Sequence, residues 1–200
     1  MPLPSQPDAP RNTPIIRDRN IALIGFMTAG KSHVGKALAA RTGLPFRDVD
    51  ALIVEREGRS IAEIFQSLGE PFFRRVETEI LRELCRQRGQ IISCGGGTIL
   101  SATNRGALAE CCETIWLRVS ESSVLSRLKS KGAPQRPLLR GLEPEETVRH
   151  LLEQREPFYA QADHLVETDG RNVQDVASEI AARLGLPTLD RDRGGAIGEM

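Results

Sequence analysis

The run Gly25-Phe26-Met27-Thr28-Ala29-Gly30-Lys31-Ser32 has the spacing G-x-x-x-x-G-K-[ST], which is that of a phosphate cradle. Glycines at both ends let successive backbone N–H groups turn inward onto an anion. A helix starting at Lys31 presents its positive end to the same anion. Lys31 can reach the β and γ phosphates of a nucleotide, and the Ser32 hydroxyl can ligate Mg²⁺. The plainer reading, a glycine turn that binds nothing, is disfavoured because chance rarely yields the pattern and because a strand is expected before the loop and a helix after it. No Asn-Lys-x-Asp guanine signature is present, so ATP is expected rather than GTP.

Further along, Asp48-Val49-Asp50 is expected at the C-terminal end of a strand, where ligands sit in open α/β sheets. In an extended segment, period two puts both carboxylates on one side. Asp48 then helps to hold Mg²⁺ through water, and Asp50 points outward to a hydroxyl of a second substrate. The alternative is an aspartate that caps the next helix. Arg74 and Glu77 are neighbours on a helix; they form either a surface ion pair or a fork for a carboxylate held in place by the glutamate. Gly95-Gly96-Gly97 weakens local structure for no packing return, which points to a ligand lying close to the backbone. Ser93 stands where a hydroxyl could touch the water shell of Mg²⁺. Residues 130–141 contain Gly132, Pro134, Pro137 and Gly141, bracketed by Arg127 and Arg140. They read either as a loose surface loop or as a mobile lid that closes on ATP and excludes water.

The elements that must position these residues alternate. Ile21–Ile24 is a short apolar run that suits a buried parallel strand. Strands are also expected over 45–49, 90–94, 114–117 and 164–166. Helices are expected over 31–42, 61–65, 70–88, 101–110, from Ser120 onward, 144–158 and 173–184. Such alternation predicts an α/β fold of the P-loop NTPase type, with three layers (α/β/α) around a five-stranded parallel sheet.

The chain has 200 residues, with 27 Lys plus Arg against 27 Asp plus Glu. A net charge of zero argues against coating nucleic acid or an anionic membrane through bulk charge. The arm 1–18, with prolines at 2, 4, 7, 10 and 14, reads as disordered and carries no secretory core. Residues 19–185 read as one domain, and 186–200 as a flexible tail. No run is apolar enough to span a bilayer. Cysteines 85, 94, 111 and 112 match no zinc spacing and read as reduced residues of a cytoplasmic protein.

Together these pieces resemble the shikimate kinase family, from about Asn20 to Gly185. The stretches that carry the resemblance are Gly25 to Gly35, Phe46 to Asp50, Gly58 to Phe65, Gly69-Glu70, Phe73 to Glu77, Ser93 to Gly97, Arg136 to Leu139, and Arg155-Glu156-Pro157-Phe158-Tyr159. The resemblance implies ATP-dependent phosphorylation of the 3-hydroxyl of shikimate, with Mg²⁺, by a monomer. It implies that shikimate is held by Asp50, Arg74, Gly96 and Arg155, and the ring's hydroxyls call for backbone groups at Gly95 as well as Gly96. ATP falls to Gly25, Thr28, Ala29, Gly30, Lys31, Ser32 and His33. Arg127 and Arg171 are expected near the adenine, and Mg²⁺ falls to Ser32 and Asp48. Asp50, Lys31 and Arg136 carry the catalytic roles, Arg136 swinging in over the transferring phosphoryl group. Shikimate's carboxylate calls for arginine forks and its hydroxyls for an acceptor, which agrees with these residue types. Thr28, His33 and Val173 depart from the residues usual in the family at their positions. The rival readings are a gluconate-type or nucleoside-monophosphate kinase and a non-catalytic ligand-sensing module.

Overall fold

The structure, a computed structural model, describes residues 19–130, 144–187 and 189. The expected arm 1–18, Arg136, Arg140 and nearly all of the lid lie outside the described residues, as does most of the segment 186–200. Strand β1 (Asn20–Ile24) is buried along its whole length, as a central strand covered on both faces must be. It pairs in parallel with β3 (Ile91–Ser93) on one side and β4 (Cys112–Arg118) on the other. β2 (Phe46–Asp48) and β5 (His164–Glu167) complete a five-stranded sheet of order β2-β3-β1-β4-β5. All its pairings are parallel. Neighbours of β1 thus come from distant parts of the chain, and its C-terminal end is the crevice where the strand order switches.

The helices that connect the parallel strands cover both faces of the sheet. α1 (Lys31–Thr42) buries Val34, Ala37 and Leu38 and packs with α8 (Val173–Arg183). On the other face α4 (Gly69–Cys85) turns Phe73, Val76, Ile80, Leu81 and Leu84 inward and packs with α5 (Ala102–Cys111). α6 (Glu121–Ser130) packs with α7 (Pro144–Tyr159) beyond β4. The three-layer α/β/α expectation therefore holds.

Three sequence expectations are corrected. Residues 49–57 form a helix, α2 (Val49–Glu57), followed by α3 (Ile61–Ser67), so Asp50 is helical rather than extended. Asp48 caps α2: its Oδ1 accepts from the Ala51 N–H at 3.2 Å. The β-branched run of α2 imitates a strand, yet only Val49 and Ile53, four apart, are buried, as a helix requires. Second, the body continues past Gly185. Leu186 is buried in the core, and the Leu189 N–H donates to Arg41 O at the end of α1. Third, the cysteines are not all reduced. α4 and α5 lie side by side, which brings the Cα atoms of Cys85 and Cys111 to 5.6 Å, and the two are joined in a disulfide. Cys94 and Cys112 are free and buried. No helix among the described residues is long and apolar enough to cross a membrane.

Candidate active site

The loop from Gly25 to Ser32 joins β1 to α1 at the switch point of the sheet. Gly25 sits at φ 142° and Gly30 at φ 89°. A Cβ on Gly25 would come within 2.5 Å of Leu117 O, so only glycine fits there. Thr28 adopts φ 63°, and among the described residues it is the only non-glycine with positive φ. A β-branched side chain in this region stores local strain. The Lys31 ammonium donates to Gly25 O at 2.8 Å and Phe26 O at 2.9 Å.

Ser32 Oγ donates to Asp48 Oδ2 at 2.6 Å and lies 3.5 Å from Ser93 Oγ. The sheet register causes this meeting, because Ser93 pairs with both Leu23 of β1 and Asp48 of β2. Two hydroxyls and a carboxylate form a hard oxygen set of the kind Mg²⁺ accepts beside a nucleotide.

On the β3 side, the three glycines form the wall against which the other charges meet. A Cβ on Gly95 would lie 2.8 Å from Glu77 Oε1 and 3.1 Å from Asp50 Oδ1. On Gly97 it would overlap the Arg74 guanidinium, 2.4 Å from Nη2. On Gly96 it would lie 3.4 Å from Met27 N and 3.8 Å from Arg155 Nη1. The triplet thus brings Asp50, Arg74 and Arg155 together beside the phosphate loop. Asp50 is the most perturbed of these groups. Burial, and next the charge of Asp48, push its carboxyl up to about 6 against the opposing pull of Lys31.

Arg74 Nη1 donates to Glu77 Oε2 at 2.8 Å, and Nε and Nη2 donate to Glu70 Oε1 at 3.1 and 3.0 Å. Glu77 is fully buried and also accepts from Thr98 Oγ1. The pair is therefore not the exposed surface bridge that spacing alone allows. Arg155 is only 3% exposed. Its Nη1 donates to Gly96 O at 3.4 Å, and its Nε has no hydrogen-bond partner among the described residues. A buried guanidinium with an unmet donor suits an incoming carboxylate. Tyr159, one turn further along α7, donates from Oη to Gly96 O at 2.6 Å and stacks on Trp116. Residue chemistry alone gave Tyr159 no role, since a lone tyrosine at a helix end reads as core.

Across β1, a groove of about 300 Å³ is lined by Thr28, Gly30, His33, Arg127, Arg171 and Asn172 among others. Arg127 bridges its two sides, with Nη1 donating to Thr28 O at 2.8 Å and Nη2 to Thr168 O at 3.2 Å. Arg171 lines the groove but turns its Nη1 to Glu167 O and the Glu179 carboxylate. Ala29 is buried and His33 exposed. The described candidate residues thus gather around the C-terminal end of β1, with Arg127 and Arg171 on the β4–β5 side and Asp48, Asp50, Arg74 and the glycine triplet on the β2–β3 side.

A phosphate loop at the switch point, a hard oxygen set beside it and an acidic group facing two arginines define the class: a P-loop phosphotransferase for a small acceptor. Comparisons with known proteins narrow this. The family model "Shikimate kinase" matches residues 27–185. The shikimate kinase of Geobacter sulfurreducens is 47% identical over 163 residues, covering 82% of this chain and 89% of that protein. That of Symbiobacterium thermophilum is 42% identical, covering 82% and 95%. The solved shikimate kinase of Acinetobacter baumannii in complex with shikimate superposes with a TM-score of 0.79 at 35% identity, covering 84% of this chain and 94% of that one. The chain belongs to the shikimate kinase family. A gluconokinase from Sinorhizobium meliloti, at 18% identity and TM-score 0.55, shares the fold alone.

Proposed function

We infer that the chain transfers the γ-phosphoryl group of ATP to the 3-hydroxyl of shikimate. The observation that carries this reading is the convergence of Asp50, Arg74 and Arg155 on the Gly95–Gly97 wall, next to the phosphate loop. The acceptor's carboxylate would lie between the forks of Arg74 and Arg155. Its reactive hydroxyl would then face Asp50, which accepts the proton or fixes the hydroxyl's direction. Lys31 would exchange its loop carbonyls for phosphate oxygens and stabilise the charge that develops during transfer. Arg127 and the groove beside it would hold the adenine end. Ser32 and Asp48, with Ser93 nearby, would hold Mg²⁺, which when bound neutralises phosphate charge and keeps the β and γ oxygens aligned. Alignment and charge compensation are what phosphoryl transfer chiefly requires. A monomer placed in the cytoplasm completes the reading.

Release of ADP measured with shikimate, quinate, gluconate, AMP and no acceptor tests this directly. Turnover is expected with shikimate and only with Mg²⁺ present. Equal turnover without acceptor, or a preference for gluconate, overturns it. Sedimentation at working concentration tests the monomer.

A further inference from the structure

At the opposite end of the sheet from the phosphate loop, three sulfurs meet. Cys85 ends α4, Cys111 ends α5 and Cys112 opens β4, where it pairs with Asn20, the first residue of β1. The length of β1 therefore separates the cluster from the nucleotide loop by about 13 Å or more. The three Sγ atoms all lie within 4.8 Å of one another, with Cys111 and Cys112 at 3.3 Å. Cys111 and Cys112 are buried, and Cys85 is partly exposed. In the oxidised form Cys85 and Cys111 are bridged. Reduction of that bridge by a thiol or phosphine reductant, which gives up two electrons, leaves three thiols at one point.

We propose that the reduced chain binds one thiophilic divalent ion of the zinc group through Cys85, Cys111 and Cys112. Metal–sulfur bonds of about 2.3 Å at tetrahedral angles place thiolates roughly 3.8 Å apart, a spacing small side-chain rotations reach from this cluster. Binding replaces three S–H protons with three metal–sulfur bonds and releases those protons, leaving a complex of charge −1. Arg19 and Arg88 set positive charge against Cys112, and Arg19 also donates to the Cys112 carbonyl. A water molecule would complete a four-coordinate site. A purely nucleophilic role for Cys112 fits less well, because its sulfur is buried away from solvent. Metal binding requires the thiolates and displaces their protons. Oxidation and metal binding exclude each other, since the bridge consumes two of the three ligands.

The full-length chain, reduced with a phosphine, desalted without oxygen and titrated with Cd²⁺ alone, provides the test. A thiolate-to-metal charge-transfer band saturating at one equivalent is expected. So is a ¹¹³Cd resonance of the three-thiolate type in the wild-type chain, which requires no variant to fold. Cys85→Ser and Cys112→Ser should each weaken binding by about 100-fold or more, whereas Cys94→Ser binds like wild type. Absence of saturation at one equivalent, a ¹¹³Cd shift of a site with fewer than three sulfurs, or loss of binding in Cys94→Ser alone would overturn the proposal.

Discussion

Asp50, the group proposed to face the acceptor hydroxyl, shows what burial costs a carboxylate. Its carboxyl is raised because burial and Asp48 disfavour the charge. A raised carboxyl pKa makes the ionised native state the less stable one, so the cost is present above about pH 6 and vanishes below the unfolded value near 3.8. Asp50→Asn should therefore be more stable than wild type at pH 7, by on the order of 2 kcal/mol, in urea unfolding. The same variant should lose about 10²- to 10⁴-fold in kcat. In the wild type, kcat/KM for shikimate should fall about tenfold per unit as pH drops below about 6, as the Asp50 carboxylate is protonated. Arg155→Met keeps bulk but removes the fork; it should raise KM for shikimate about 10- to 100-fold and leave KM for ATP nearly unchanged, as steady-state kinetics would show. Thr28→Gly removes a strained side chain while keeping the loop N–H; melting should rise by about 2–4 °C, read by calorimetry, with KM for ATP little altered.

Elements decide which of these residues were legible beforehand. The phosphate loop was, because a strand, a glycine turn and a Lys-Ser pair are local in sequence. The carboxylate pair was found for a reason the structure revises: Asp48 and Asp50 do not share a strand face but sit at the cap and first turn of α2. The apolar run of α2 suits either period, and the cap that settles it is a three-dimensional contact. The sulfur cluster was illegible, since its members are separated by 26 residues and meet only because α4 packs on α5. Tyr159 was likewise hidden. Its hydroxyl fixes the Gly96 carbonyl, and so the direction of the glycine wall proposed to face the acceptor. Tyr159→Phe should cost about 1 kcal/mol of stability and raise KM for shikimate several-fold while sparing ATP; equal effects on both substrates would place Tyr159 in the core alone.

At the scale of the whole molecule, net charge zero is repeated locally, because Lys31, Arg74, Arg127 and Arg155 share the candidate site with Asp48, Asp50, Glu70 and Glu77. A nucleotide that binds only the folded state should stabilise it by about 2.7 kcal/mol at one hundred times its Kd. For a chain of this size, that is a rise in melting temperature of about 5–10 °C, measurable by thermal shift with Mg·ATP, and Lys31→Met should abolish most of it. The strand order β2-β3-β1-β4-β5 has a consequence for inheritance and for engineering. The proposed acceptor wall comes almost wholly from residues 46–97, on one side of β1, and the proposed adenine groove from the phosphate loop, α1, α6 and the β5–α8 turn on the other. Exchanging this one continuous stretch should therefore shift acceptor specificity while the phosphate loop is kept, provided that Asp48 and Ser93, the proposed Mg²⁺ neighbours of Ser32 that lie inside it, are retained. Arg155 and Tyr159 are the exceptions, reaching from α7 across to Gly96. They form the seam along which such a chimera would have to be matched.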